Sequence, residues 1–202
     1  MVGKELPLKS YVGSTGANLF STINKYGVSL TPIAEKDIET IRCWRNDPEV
    51  SRFMFSQDFI SPEQQQAWFS SVSQKLNECY YMVTFRDQEF GVVYAKSLDN
   101  QALYQAKFIE PGLYLDPASQ LKSSLLAFAP SLALLDEFFS QGQCEQFTAQ
   151  VLTENTSALR YNKSLGYVID STRSSEEILT MHLSAQQFEQ ATSKIGGLLS
   201  RY

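Results

Sequence analysis

Apolar residues recur along this chain in two rhythms, one at strand spacing and one at helix spacing, and their order predicts an alternating architecture. Tyr26-Gly-Val-Ser-Leu-Thr-Pro-Ile33 reads as a first strand. Ile38, Ile41 and Trp44 then line one side of a helix that runs to Trp44-Arg-Asn-Asp47, where Pro48 helps to end it. Ser61-Pro-Glu-Gln64 predicts a sharp helix start: a cap serine, proline in the first turn, and glutamine three after the serine. That helix carries Trp68, Phe69, Val72 and Leu76. Tyr80 to Phe85 and Phe90 to Leu98 are β-rich runs around a hairpin at Arg86-Asp-Gln-Glu89. Leu103 to Leu115 reads as one long strand interrupted at Pro111-Gly112, where a bulge or break is expected.

The second half follows the same alternation. Gln120 to Phe139 is a helical segment with Leu125, Leu126, Leu132 and Leu135 on its core side, and Pro130 should kink or divide it. Phe147 to Leu152 is a strand, followed by a short helix from Asn155 to Leu165. Gly166 stands where a left-handed cap is wanted, and apolar Val168-Ile169 comes next. Ile178 to Leu183 is a final strand, and Ser184 opens a polar tail helix whose end Gly196-Gly197 should weaken. The pattern divides the chain into an N-terminal arm (1–25), a folded domain (26–183) and a helical tail (184–202).

Composition narrows the function. A chain of 202 residues, 43% apolar and 12% aromatic, can bury one proper core. A net charge of −5 offers no basic footprint for nucleic acid or an anionic membrane. No apolar run approaches membrane-spanning length and no signal-type segment opens the chain, so a cytoplasmic location is expected. Cys43, Cys79 and Cys144 are scattered and the chain has 1 histidine, His182, so no metal site is expected.

The stretch from Val151 to Tyr167 resembles the last cofactor-binding motif of the GNAT acyl-CoA N-acyltransferases, with Asn155, Ala158, Tyr161, Gly166 and Tyr167 as its matching residues. Trp44-Arg-Asn-Asp-Pro-Glu-Val50 followed by Met54-Phe55 is similar to a stretch of two branches of that superfamily. These are the ribosomal-protein N-acetyltransferases and the sugar-nucleotide N-acetyltransferases of pseudaminic acid synthesis. The predicted order of elements is also the GNAT order. The resemblance implies an α+β fold with a mixed central sheet, a splayed fourth and fifth strand pair, and flanking helices. It implies acetyl-CoA as acyl donor, no metal, and a small amine as acceptor, most readily an amino-sugar nucleotide. A protein N-terminus as acceptor, or a non-catalytic module on the same fold, are the alternatives. Either the arm or the tail could cover a partner subunit in a homodimer.

Site residues follow from the same resemblance. Asn155 would help hold the coenzyme arm, and the Tyr161 hydroxyl would protonate the departing thiolate. Met54, Phe55 and Trp68 would pack against the acceptor, although Met54 and Phe55 read equally well as core. Glu110, just before Pro111-Gly112, is the candidate base that removes the proton from the amine, or else a solvated strand carboxylate. Backbone N–H groups near Tyr114, Leu115 and Asp116 would polarise the thioester carbonyl. The superfamily's phosphate cradle is glycine-rich, whereas here no glycine lies between Tyr114 and Gln141. Gln120, Lys122, Ser123 and Ser124 would have to serve, the lysine by charge and the serines by N–H and hydroxyl groups.

Overall fold

The computed structural model describes residues 20–201. The arm expected over residues 1–25 therefore lies outside the described residues as far as residue 19. Its last part is not an appendage, because Ile23–Lys25 forms strand β1, a hairpin partner of β2 (Val28–Pro32). Tyr26 and Gly27 make the connecting turn with φ of 56° and 79°, the left-handed pair that a two-residue hairpin requires. The first strand is thus shorter than the apolar run suggested.

Helices α1 (Ile38–Asn46), α2 (Pro48–Ser51) and α3 (Pro62–Val72) come next. Ser61 and Gln64 close the expected capping box at the start of α3, each side chain bonding the other's backbone N–H. Strands β3 (Glu78–Phe85) and β4 (Gln88–Ser97) join at Arg86-Asp87, both left-handed. Strand β5 starts only at Phe108 and runs to Leu115, because Asp99 ties the preceding loop to itself. Its carboxylate accepts from the Ser97 hydroxyl and from the Gln101 and Lys107 N–H groups. Two 3₁₀ turns (Gln120–Ser123 and Leu125–Phe128) lead into α4 (Ala129–Ser140), with Pro130 in its first turn, so the proline divides the segment rather than kinking a helix. Strand β6 (Gln146–Leu152), α5 (Thr156–Ser164), β7 (Val168–Ile169), β8 (Ile178–Leu183) and α6 (Ala185–Leu199) complete the chain. Gly196 and Gly197 do not end α6; Gly196 lets it approach the Tyr26 ring, which a Cβ there would meet at 3.2 Å.

The strands form one sheet of 8 in the order β1-β2-β3-β4-β5-β6-β8-β7. All neighbours are antiparallel except β5 and β6, which run parallel and pair only at Phe108↔Gln146 and Ile109↔Phe147. Beyond Ile109 the two strands part, which opens a V in the middle of the sheet. One face carries the main core, with Val93, Ala95 and Ile109 packed under Leu132 and Leu135 of α4. The other carries a smaller core of Ile33, Ile41, Val72, Met82 and Val92 under α1 and α3.

Candidate active site in the split of the sheet

The side on which each residue of β5 acts follows from the ladder. Asp116 N–H donates to the Phe90 carbonyl at 2.9 Å and Leu98 N–H to the Phe108 carbonyl at 2.8 Å. With register unbroken between them, the even-numbered residues of β5 bond to β4 and the odd-numbered ones face β6. Three consequences follow. Pro111 lies at an odd position, so its missing N–H faces the gap and no bulge is needed to accommodate it. The expected break at Pro111-Gly112 is absent, and the sheet's register shift lies instead between Val83 and Thr84. Finally, Tyr114 and Asp116 spend their N–H groups on β4, whereas Leu113 and Leu115 direct theirs into the split.

A cavity of about 440 Å³ fills the split. On the α1 and α3 side its wall includes Glu110, Tyr94, Tyr114, Met54 and Phe55. On the α4 and α5 side it includes Ser131, Leu135, Asn155, Ala158 and Tyr161. Gln150 of β6 and Lys122 also reach it. The cavity thus joins the two faces of the sheet through the gap between β5 and β6. Gly112 stands at the junction because the Tyr94 ring lies where its Cβ would be. Burial, with the nearby Glu110 charge, pushes the Tyr94 hydroxyl up to about 12.

Asn155 caps α5: its Oδ1 accepts from Ala158 N–H at 3.0 Å, and among the described residues its Nδ2 has no protein acceptor. Gly166, at φ 99°, ends the helix as expected, and Tyr167 N–H returns to the Asn162 carbonyl at 3.1 Å. Tyr161 lies flat against Phe128, with centroids 4.7 Å apart and planes 4° from parallel. Its hydroxyl donates to the Ala127 carbonyl at 3.0 Å and stands 2.9 Å from Ser131 Oγ. Burial raises its pKa well above the usual tyrosine range. In the motif that Val151 to Tyr167 resembles, V-L-x-x-N-x-x-A-x-x-x-Y-x-x-x-G-[FY], the tyrosine stands four residues after the alanine, a place that Asn162 holds here; Tyr161 stands three after Ala158. Both side chains line the cavity.

Several expected site residues lie elsewhere. Trp68 packs edge-on against Tyr80, 4.9 Å between centroids, within the smaller core rather than against the cavity. Asp116 folds its carboxylate onto Ala118 N–H. Ser123 and Ser124 turn their hydroxyls back to the Gln120 and Leu121 carbonyls. The turn from Ala118 to Ala127 satisfies six of its own N–H groups: those of Ala118, Ser119, Leu121, Ser124, Leu126 and Ala127. Without glycine to turn successive N–H groups outward, this segment has no open nest for phosphate in the present conformation, and Gln120, Ser123 and Ser124 do not reach the cavity. The residues therefore fit the acyl and thioester end of acetyl-CoA better than its pyrophosphate. Leu113 and Leu115 N–H groups and Asn155 Nδ2 are the donors that could hold it.

One organiser escaped the pattern. Asn46 clasps Ile60 from both sides, Nδ2 to its carbonyl and Oδ1 from its N–H, each at 2.9 Å. This closes the loop that carries Phe53, Met54 and Phe55, and Phe55 is left 60% exposed. Its only sequence signal is the asparagine of Trp44-Arg-Asn46 at the end of a predicted helix.

A family model described as "Acetyltransferase (GNAT) domain" matches residues 28–168. The chain belongs to the GNAT acetyltransferases. It is thus an acyl-CoA-dependent N-acyltransferase by family, and its mixed sheet with the parted β5 and β6 is the GNAT fold. No curated protein matches its sequence. Solved structures similar to it include a spermidine N-acetyltransferase from Vibrio cholerae in complex with CoA and spermine, with TM-score 0.69 and 15% identity over 80% of this chain and 98% of that one. An aminoglycoside acetyltransferase in complex with coenzyme A gives TM-score 0.67 and 16% identity over 81% and 98%. An uncharacterized protein from Bacillus halodurans gives 0.72 and 12% over 85% and 91%. At these identities the likeness is one of fold. Among the described residues no helix is long and apolar enough to cross a membrane, and no cluster of metal-ligating side chains occurs.

Proposed function

We propose that this GNAT protein is an acetyl-CoA-dependent N-acetyltransferase for the primary amine of a small acceptor, which enters from the Met54 and Phe55 side. The observation that carries the reading is the cavity running through the split of the sheet, with Glu110 at one end and Asn155 and Tyr161 at the other. Acetyl-CoA, when bound, supplies a thioester carbonyl and a thiolate leaving group. Glu110 takes the proton that the acceptor ammonium must lose before its nitrogen can react. Leu113 and Leu115 N–H groups stabilise negative charge on a carbonyl oxygen placed in the gap. Tyr161 is held protonated by burial and supplies the proton to sulfur, with Ser131 keeping its hydroxyl oriented.

Two acceptor classes fit. The apolar wall at Met54 and Phe55 favours an amino-sugar nucleotide, whose base could lie against it. The carboxylates of Glu49 and Glu110 in the same cavity favour a cationic amine, the kind of molecule named for the spermidine and aminoglycoside enzymes above. Calorimetric titration with acetyl-CoA tests the core of the reading, and absence of binding at millimolar concentration would refute it. Rates of thiol release with a nucleotide-linked amino sugar, a diamine and a short peptide then rank the acceptors. Glu110→Gln should lower turnover by about a hundredfold or more at neutral pH.

A further inference from the structure

The chemistry above leaves unused an ion pair that spans the mouth of the cavity. Lys122 Nζ lies 2.8 Å from the Glu49 carboxylate, joining residues 73 apart in sequence, and also donates to the Pro117 carbonyl. Lys122 belongs to the turn after β5 and Glu49 to the first turn of α2, so the pair ties the coenzyme side to the acceptor side. Both side chains line the cavity. They are 39% and 61% exposed, and pairs that exposed hold weakly and exchange readily. The pair also occupies two of the three charged groups in the cavity wall, leaving Glu110 without an ionic partner among the described residues.

We propose that Lys122 is a charge shared between the two substrates. In the free protein Glu49 holds it. The anionic end of the acyl donor takes it over, a change of side-chain position that needs no rebuilding of the turn. Glu49 is then released in a cavity wall that also includes the exposed Phe55 ring, a carboxylate and an aromatic face that together bind ammonium, while the Arg52 guanidinium stays over the Phe53 ring at 4.7 Å. The acceptor class that exploits this is an amine carrying a second cationic group, one nitrogen at Glu110 and the other at Glu49. Donor binding should therefore strengthen acceptor binding, and by linkage the reverse. This inference rests on the acyltransferase reading above.

The test is calorimetry on the full chain with coenzyme A, using 1,5-diaminopentane as probe and pentylamine as its singly charged control. The wild type should bind the diamine about fivefold more tightly once saturated with coenzyme A, and pentylamine with little change. Lys122→Gln should weaken coenzyme A yet bind the diamine equally with and without it. Glu49→Gln should bind coenzyme A at least as tightly as the wild type and lose the diamine's advantage. If the wild type binds coenzyme A but the diamine affinity does not respond, or fails to register at all, the sharing of Lys122 is wrong while the acyltransferase reading stands. The sharing is equally wrong if Glu49→Gln keeps the fivefold response. If coenzyme A itself does not bind, the acyltransferase reading falls, and this inference with it.

Discussion

Tyr161 Oη and Ser131 Oγ stand 2.9 Å apart, joining α5 to the first turn of α4, and the tyrosine's proton is directed to the Ala127 carbonyl. The hydroxyl therefore has a structural task as well as the proposed chemical one, and the two separate experimentally. Loss of a buried hydrogen bond costs about 1 kcal/mol. Loss of a general acid costs about a hundredfold or more in rate. Tyr161→Phe should thus lower the unfolding free energy modestly and turnover steeply, while Ser131→Ala lowers turnover less. Steady-state kinetics alongside chemical denaturation would show this; full activity of Tyr161→Phe would move proton delivery to another group.

Gly112 and Tyr94 exclude one another's alternatives. A Cβ at Gly112 would fall on the Tyr94 ring, at the point where the cavity crosses the sheet. Gly112→Ala should therefore destabilise by about 1–3 kcal/mol through overpacking. Tyr94→Phe should not rescue it, since ring carbons as well as the hydroxyl are in the way. Tyr94→Leu should recover part of the loss. A double-mutant cycle by thermal or urea unfolding measures the coupling.

Asn46 governs the acceptor loop through its two bonds to Ile60. Asn46→Ala leaves the Ile60 N–H unpaired, at a cost of about 1–3 kcal/mol if it stays buried, while the Ile60 carbonyl keeps the Arg42 guanidinium at 3.1 Å. The loop carrying Phe53, Met54 and Phe55 then loses its closure. The acceptor KM should rise severalfold while coenzyme affinity changes little, and comparing the two by calorimetry distinguishes this from general unfolding.

What could be read in the sequence was mostly local. Ser61 and Ser184 act through neighbours three residues away, and Gly166 ends α5 in the left-handed conformation its position suggested, although its lack of a Cβ also admits the distant Gln187 carbonyl. The order of strands and helices was equally legible because apolar spacing records it. The register of β5 against β4 was not, and that register decides that Leu113 and Leu115, rather than Tyr114 and Asp116, face the split. Trp68 looked like a pocket residue because nothing local reveals that Tyr80 covers it. The pairing of Lys122 with Glu49 was not legible either, because that partner lies on a distant helix. Long-range pairing, not propensity, separates the two groups.

Alkaline pH should unfold this protein in a specific way. Burial raises Tyr94 from 10.0 to about 12 and Cys79 from 9.0 to about 12. Both groups are neutral when protonated, so the folded state holds their protons more firmly than the unfolded chain does. Their contribution is complete below the unfolded pKa and is lost as pH rises through the folded one. Stability should thus fall between about pH 9 and 12, by up to about 1.4 kcal/mol per pH unit for each such group. Urea midpoints measured across that range should decline, and tyrosinate absorbance should rise together with unfolding rather than before it. Tyr94→Phe should flatten the decline between about pH 10 and 12 and leave its onset, set by Cys79 and the similarly buried Cys144, unchanged. A decline that is unaltered in Tyr94→Phe would mean that this hydroxyl ionises as readily in the fold as outside it.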